Sequence, residues 1–160
     1  MNNTLISNAL SAIMTSFLSN GGSEIGKSLG KDIYDKIKHW FSKEEEKKAL
    51  HKLETEPFST IHQENIERLI TLKLEDKEFF QDISVSIRFT SSNNFILDRI
   101  LISMKKIRAQ LTELYDYVIN SGPDKTGEYH NRINHLESEL CRLEVKFWVI
   151  IQASAGNTWY

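Results

Sequence analysis

One cysteine, two prolines and seven glycines in 160 residues leave this chain few chain-breakers and no means of forming an internal disulfide. The scarcity of proline and glycine argues against many short strands joined by tight turns and leaves room for long helices. A lone thiol, Cys141, suits a reducing cytoplasm. There is no basic excess: the formal net charge is -2, which argues against a general nucleic-acid binder. No uninterrupted apolar run approaches the roughly 20 residues needed to span a bilayer. Met1-Asn2-Asn3-Thr4 carries no lysine or arginine ahead of its apolar stretch, so the charged start of a signal peptide is missing.

Charge of either sign is also absent before Glu24. Residues 4 to 19 have helical spacing, with Thr4 as N-cap and an apolar face of Leu5, Ile6, Ala9, Leu10, Ile13, Met14, Phe17 and Leu18. The opposite face is polar but uncharged: Ser7, Asn8, Ser11, Thr15, Ser16 and Ser19. Such a face is expected to be covered by protein. Contact with a membrane surface is the alternative, although no basic residues stand ready for lipid headgroups.

Gly21-Gly22-Ser23-Glu24-Ile25-Gly26-Lys27-Ser28 fits the phosphate-loop pattern G-x-x-x-x-G-K-[ST]. A true phosphate loop follows a buried strand and opens a helix in a βαβ unit. Here the preceding segment has helical spacing, and the rest of the chain offers no set of parallel strands. The alternative is that Gly21-Gly22 ends the first helix, Ser23 caps a second running to about Phe41, and Gly22, Gly26 and Gly30 form a small-residue stripe. Glycine inside a helix costs about 1 kcal/mol relative to alanine, so Gly26 and Gly30 imply a helix packed closely against them. A nucleotide binder centred on Lys27 and Ser28 remains the rival reading, and no cofactor is otherwise implied.

The second helix carries Ile25, Leu29, Ile33, Ile37 and Trp40, with Tyr34 and Phe41 beside them. Ser42 with Glu45 reads as a capping box for a charged helix through Leu53. Pro57 breaks the chain. Ser59 or Thr60 caps a helix with Ile61, Ile66, Leu69, Ile70 and Leu74, and Asp76 caps another with Phe79, Phe80, Ile83 and Ile87. Ile83 to Thr90 alternates and is the strand candidate, but a lone strand has no partner, so helix is expected.

Thr90-Ser91-Ser92-Asn93-Asn94 reads as a hinge. Beyond it Leu97, Ile100, Met104, Ile107, Leu111, Leu114 and Val118 alternate three and four apart. After a turn at Ser121-Gly122-Pro123-Asp124, extended by Gly127, Tyr129, Ile133, Leu136, Leu140, Leu143, Phe147 and Ile150 do the same. Two equal heptad seams joined by one turn predict an antiparallel hairpin with arms about 35–40 Å long. Val145, Trp148, Val149 and Ile151 lie off the seam, and Trp159 and Tyr160 follow. Extra apolar surface must pack on the preceding helices or on another chain. Trp148, Ile151, Trp159 and Tyr160 are therefore the candidates for outward contact.

No constellation for chemistry emerges. His39, His51, His62, His130 and His135 include no i, i+4 pair, and zinc needs convergent ligands. Cys141 has no evident activating base and reads as a small packing residue beside Leu140. Lys105, Lys106 and Arg108, like Lys27, Lys31, Lys36 and Lys38, read as solvated helix faces.

Gly26-Lys27-Ser28-Leu29-Gly30, Tyr34-Asp35-Lys36-Ile37-Lys38 and Trp40, followed by Leu69-Ile70-Thr71-Leu72-Lys73-Leu74 and Glu78-Phe79-Phe80, carry a resemblance. Residues 1 to about 88 look like the small helical module at the N-termini of many bacterial multidomain proteins, including effector and nucleotide-switch proteins of conflict systems. The resemblance implies an adaptor role in a bacterial cytoplasmic assembly, with no active site. No recognisable effector domain follows, which implies an accessory subunit working beside a separate effector. The expectation is an all-α, non-enzymatic protein: an N-terminal bundle of four or five helices over residues 1–90, then a long antiparallel coiled-coil-like hairpin over 94–152. Its partner is another protein or a second copy of itself.

Overall fold

The computed structural model describes residues 3–19, 24–87, 94–122 and 127–156. Among them are seven helices and no strand: α1 (Asn3–Leu18), α2 (Glu24–Trp40), α3 (Glu44–Thr55), α4 (Thr60–Lys73), α5 (Lys77–Ser86), α6 (Asn94–Ser121) and α7 (Glu128–Gly156). The all-α expectation holds.

The helix ends follow local chemistry. Ser59 Oγ accepts from the His62 N–H at 3.4 Å, and Asp76 Oδ1 accepts from the Glu78 N–H at 3.0 Å. Each satisfies a donor that the first turn leaves without an intrahelical partner. Two expected caps are displaced. Helix α1 begins at Asn3, so Thr4 lies inside it, and the Thr4 carbonyl accepts from Ser7 Oγ at 2.9 Å. Helix α3 is capped one residue later than the Ser42/Glu45 pair: Glu46 Oε1 accepts from the Lys43 N–H at 3.1 Å. Glu46 is the better placed carboxylate because it is buried and also meets Lys73 of α4 at 3.1 Å.

The alternating stretch at the end of α5 shows which period governs. A strand would put Ile83, Val85 and Ile87 on one face. Ile83 and Ile87 are each 2% exposed, whereas Val85 is 83% exposed. Helical i, i+4 spacing is the one in use, and Phe79 extends the buried stripe.

Helix α1 is the axis of the fold. It packs against α2, α4 and α6, and eleven of its residues are buried, including Ser7, Ser11, Thr15 and Ser16 from the uncharged face. Leu10, Ile13 and Met14 are among its fully buried side chains. Burial of each such side chain is worth about 1.5–3 kcal/mol. One hydrophobic cluster runs from Leu5 and Ile6 through Ile33, Ile66 and Phe79 to Met104, Phe147 and Ile151. It joins the N-terminal helices to α6 and α7.

Gly122 (φ 78°) follows α6 and Gly127 (φ 71°) precedes α7, both in the left-handed region that favours glycine. Between the two helices Tyr117 stacks on Tyr129, Tyr115 hydrogen-bonds Glu137, and Arg108 meets Glu144. As residue numbers fall along α6 their partners rise along α7, so these two helices run in opposite directions.

Candidate functional site: ion pairs against the first helix

The polar face of α1 needs hydrogen-bond partners, and charged side chains from three other helices supply them. Arg108 of α6 donates through Nη2 to Ser16 Oγ at 3.1 Å and to Glu144 Oε1 of α7 at 3.2 Å. Ser16 Oγ also lies 3.3 Å from Glu144 Oε1, so hydroxyl, guanidinium and carboxylate close a triangle. Both charged side chains are almost wholly buried. Burial pushes the Arg108 guanidinium below its ordinary value, and the neighbouring Glu144 opposes that shift. Arginine still keeps its proton, so the pair is ionic.

One to two turns away, Glu67 of α4 receives Lys105 Nζ of α6 at 2.9 Å. The Asn8 amide, oriented by its surroundings, donates to Glu67 Oε2 at 3.3 Å, and Ser11 also hydrogen-bonds the carboxylate. Burial raises the Glu67 carboxyl above its ordinary value, while the hydrogen bond and charge of Lys105 pull the other way. Ser7 Oγ and Thr71 Oγ1 lie 2.7 Å apart, and Thr71 passes its own bond to the Glu67 carbonyl. The face of α1 that carries no charge is thus lined with other helices' charges.

A second polar clamp joins α2 to α5. Trp40 Nε1 donates to Asp82 Oδ2 at 2.8 Å, and Lys36 Nζ donates to the Asp82 carbonyl at 2.8 Å. The Trp40 hydrogen bond, aided by Lys36, holds the Asp82 carboxyl below the usual carboxylate range. Among the described residues, three buried side-chain polar atoms have no protein partner: Thr15 Oγ1, Arg108 Nε and Trp148 Nε1.

The residues singled out by sequence are placed as follows. Gly30 is helical, and a Cβ there would lie 2.8 Å from Phe17 Cβ and 3.5 Å from the Ile13 carbonyl, so α1 lies directly against it. Gly26 is within α2, while Gly22 falls outside the described residues. Lys27 and Ser28 are exposed on α2 and follow helix α1, where a phosphate loop would follow a strand. Trp148 and Ile151 require correction: they are 4% and 1% exposed, packed into this chain's own core, and do not face outward. Trp159 and Tyr160 lie outside the described residues. Cys141 is exposed, not packed beside Leu140, because the next residue along a helix turns about 100° away from the seam. No group of histidine, cysteine and carboxylate side chains suited to a metal occurs among the described residues. No described helix is long and apolar enough to cross a membrane.

Sequence reading missed the Arg108–Glu144 and Lys105–Glu67 pairs. A signal was present: both Arg108 and Glu144 directly follow seam residues, Ile107 and Leu143, where charged side chains flank a helix pair.

No family model matches the chain, and neither a curated protein nor a solved structure is similar to it.

Proposed function

We propose that the protein is a non-enzymatic helical interaction module that associates with a second copy of itself and serves as an accessory subunit of a larger complex. In this reading the bundle α1–α5 supports α6 and α7 as a coiled-coil-like hairpin, and the hairpin presents the contact surface. The observation that carries it is a stripe on α7. Val145 and Val149 are 57% and 59% exposed, one helical turn apart, and the exposed Cys141 continues the line. Phe95 and Ile102, seven residues apart on α6, are exposed as well.

Large apolar side chains at regular helical spacing on a solvent face are what a helix-to-helix contact uses. A single stripe also suits self-association, since a two-fold contact needs only one self-complementary patch. The resemblance of residues 1 to 88 to a bacterial adaptor module extends the reading to an assembly in the bacterial cytoplasm, in antiphage defence. Burial of Ser7, Ser11, Thr15 and Ser16 on the uncharged face of α1 supports this reading over the membrane-active alternative.

Sedimentation velocity over a micromolar concentration series tests the proposal. A species heavier than the 18.6 kDa chain is expected. It should revert to monomer in the Val145→Glu/Val149→Glu double variant. A wild-type protein that stays monomeric throughout contradicts the self-association reading.

A further inference from the structure

One ammonium stands between two carboxylates where α4 meets α6. Lys105 Nζ lies 2.9 Å from Glu67 Oε2 and 3.8 Å from Glu64 Oε1. The two glutamates are three residues apart on α4, neighbours on the helix surface. Their exposure differs: the Glu67 side chain is 15% exposed and that of Glu64 61%. Two negative charges against one positive leave the group one proton short of neutrality. Water stabilises the charge of the exposed carboxylate, and the buried one loses that help. The balancing proton therefore goes to Glu67.

The surroundings of Glu67 agree with this. Helix α1 meets it with Asn8 and Ser11 and carries no charge. From α6 it faces Lys105 and, through space, Arg108, which Glu144 already balances. Glu45 and Glu46 of α3 engage Arg68 and Lys73 of α4 instead. Burial raises the Glu67 carboxyl above its ordinary value; Lys105 and Ser11 oppose the shift, and the Glu64 charge adds to it. Glu67 and Lys105 also line a cavity of about 120 Å³ between α1, α4 and α6, as does the exposed Asp98, and this space gives the lysine room to move.

We infer that Glu64, Glu67 and Lys105 form a proton-operated exchange: on acidification Glu67 binds a proton from solvent and Lys105 passes from Glu67 to Glu64. The lysine is an ammonium on both sides of the exchange. The new Glu67 O–H donates to the Ser11 hydroxyl, which turns from donor to acceptor. The buried ion pair becomes a neutral hydrogen bond, and the charge pair moves out to the exposed glutamate. The joint between α4 and α6 thereby reads pH. It is separate from the α7 stripe, so either reading can fail without the other.

Carbon-13 and nitrogen-15 spectra of the full chain, recorded from about pH 7 to about pH 4, test the exchange. The Glu67 Cδ signal should titrate with a midpoint above 4.5. The Lys105 Cε and Nζ signals should move with that same midpoint. In Glu67→Gln, which is neutral throughout, Lys105 should keep its acid-form signals up to about pH 7. In Glu64→Gln the Lys105 step should shrink, and the Glu67 midpoint should fall because a like charge has gone. Three results overturn the inference, and the first two need no variant. One is a Glu67 midpoint at or below 4.5. Another is a Lys105 signal that stays still through the Glu67 midpoint. The last is a Lys105 step undiminished by Glu64→Gln.

Discussion

Arg108 and Glu144, 36 residues apart in sequence, meet at 3.2 Å in the interior, where both also touch the Ser16 hydroxyl. The contact ties α6 to α7 and both to α1. Its energetics follow from burial. Removing one partner strands the other charge in the interior, at about 3–5 kcal/mol, whereas replacing both with apolar groups of similar volume is often neutral or stabilising. Arg108→Met alone should therefore destabilise the fold by about that amount. Arg108→Met with Glu144→Leu should recover most of the loss. Denaturant unfolding of the two single variants and the double closes the cycle. Additive losses would mean the pair is not coupled.

Gly30 makes an independent prediction about how α2 sits on α1. Alanine in a helix gains about 1 kcal/mol over glycine. Overpacking costs about 1–3 kcal/mol. Here the obstacle is Phe17 Cβ at 2.8 Å, which moves only with the backbone of α1, so the clash outweighs the gain. Gly30→Ala should lower stability by about 1–2 kcal/mol, read as a shift in the urea midpoint. A rise would mean that α2 has room to move away.

Glu67 gives the fold a pH dependence with a definite sign. Its folded-state pKa is raised above the ordinary value of 4.5, chiefly by burial, so the folded state holds the proton more tightly than the unfolded chain. That contribution is fully present below pH 4.5 and is lost as pH rises through the folded-state value. Glu67→Gln removes the loss. The variant should match the wild type near pH 4 and unfold at a higher temperature near pH 7, in thermal melts at the two pH values. A variant less stable than wild type at pH 7 would show that the Lys105 contact outweighs desolvation.

Trp148 separates what sequence could and could not show. Its place off the α7 seam was legible, and so was the need for a covering surface. Which surface was not legible, because a core position and an interface position present the same apolar residue to a sequence reader. The structure turns Trp148 inward onto this chain, and the smaller Val145 and Val149 take the solvent side. Trp148→Ala should accordingly cost about 3–5 kcal/mol of stability, as core truncations do, and should not report on association while the protein stays folded. Melting curves beside sedimentation separate the two effects.

The helices themselves were read well because each is specified within its own segment. Asp76, Ser59 and the 79/83/87 spacing act over a few residues. The ion pairs were not read, because Arg108 and Glu144, or Lys105 and Glu67, become neighbours only through packing. The uncharged face of α1 was the visible half of that arrangement: hydroxyls and amides in a helix without charges imply buried partners, although not which ones. The capping box expected at Ser42 falls one residue later because burial of Glu46, a tertiary effect, selects among several local options.

The most direct measurement of the proposed function uses Cys141, the chain's one cysteine, exposed on α7 one turn before Val145. A nitroxide on Cys141 in the otherwise unchanged protein reports the distance between copies by dipolar spectroscopy. Pairing through the α7 stripe predicts a short, well-defined inter-label distance at micromolar concentration, abolished by Val145→Glu/Val149→Glu. A sedimenting oligomer with no dipolar coupling at Cys141, or coupling that survives the double variant, would contradict association through this stripe.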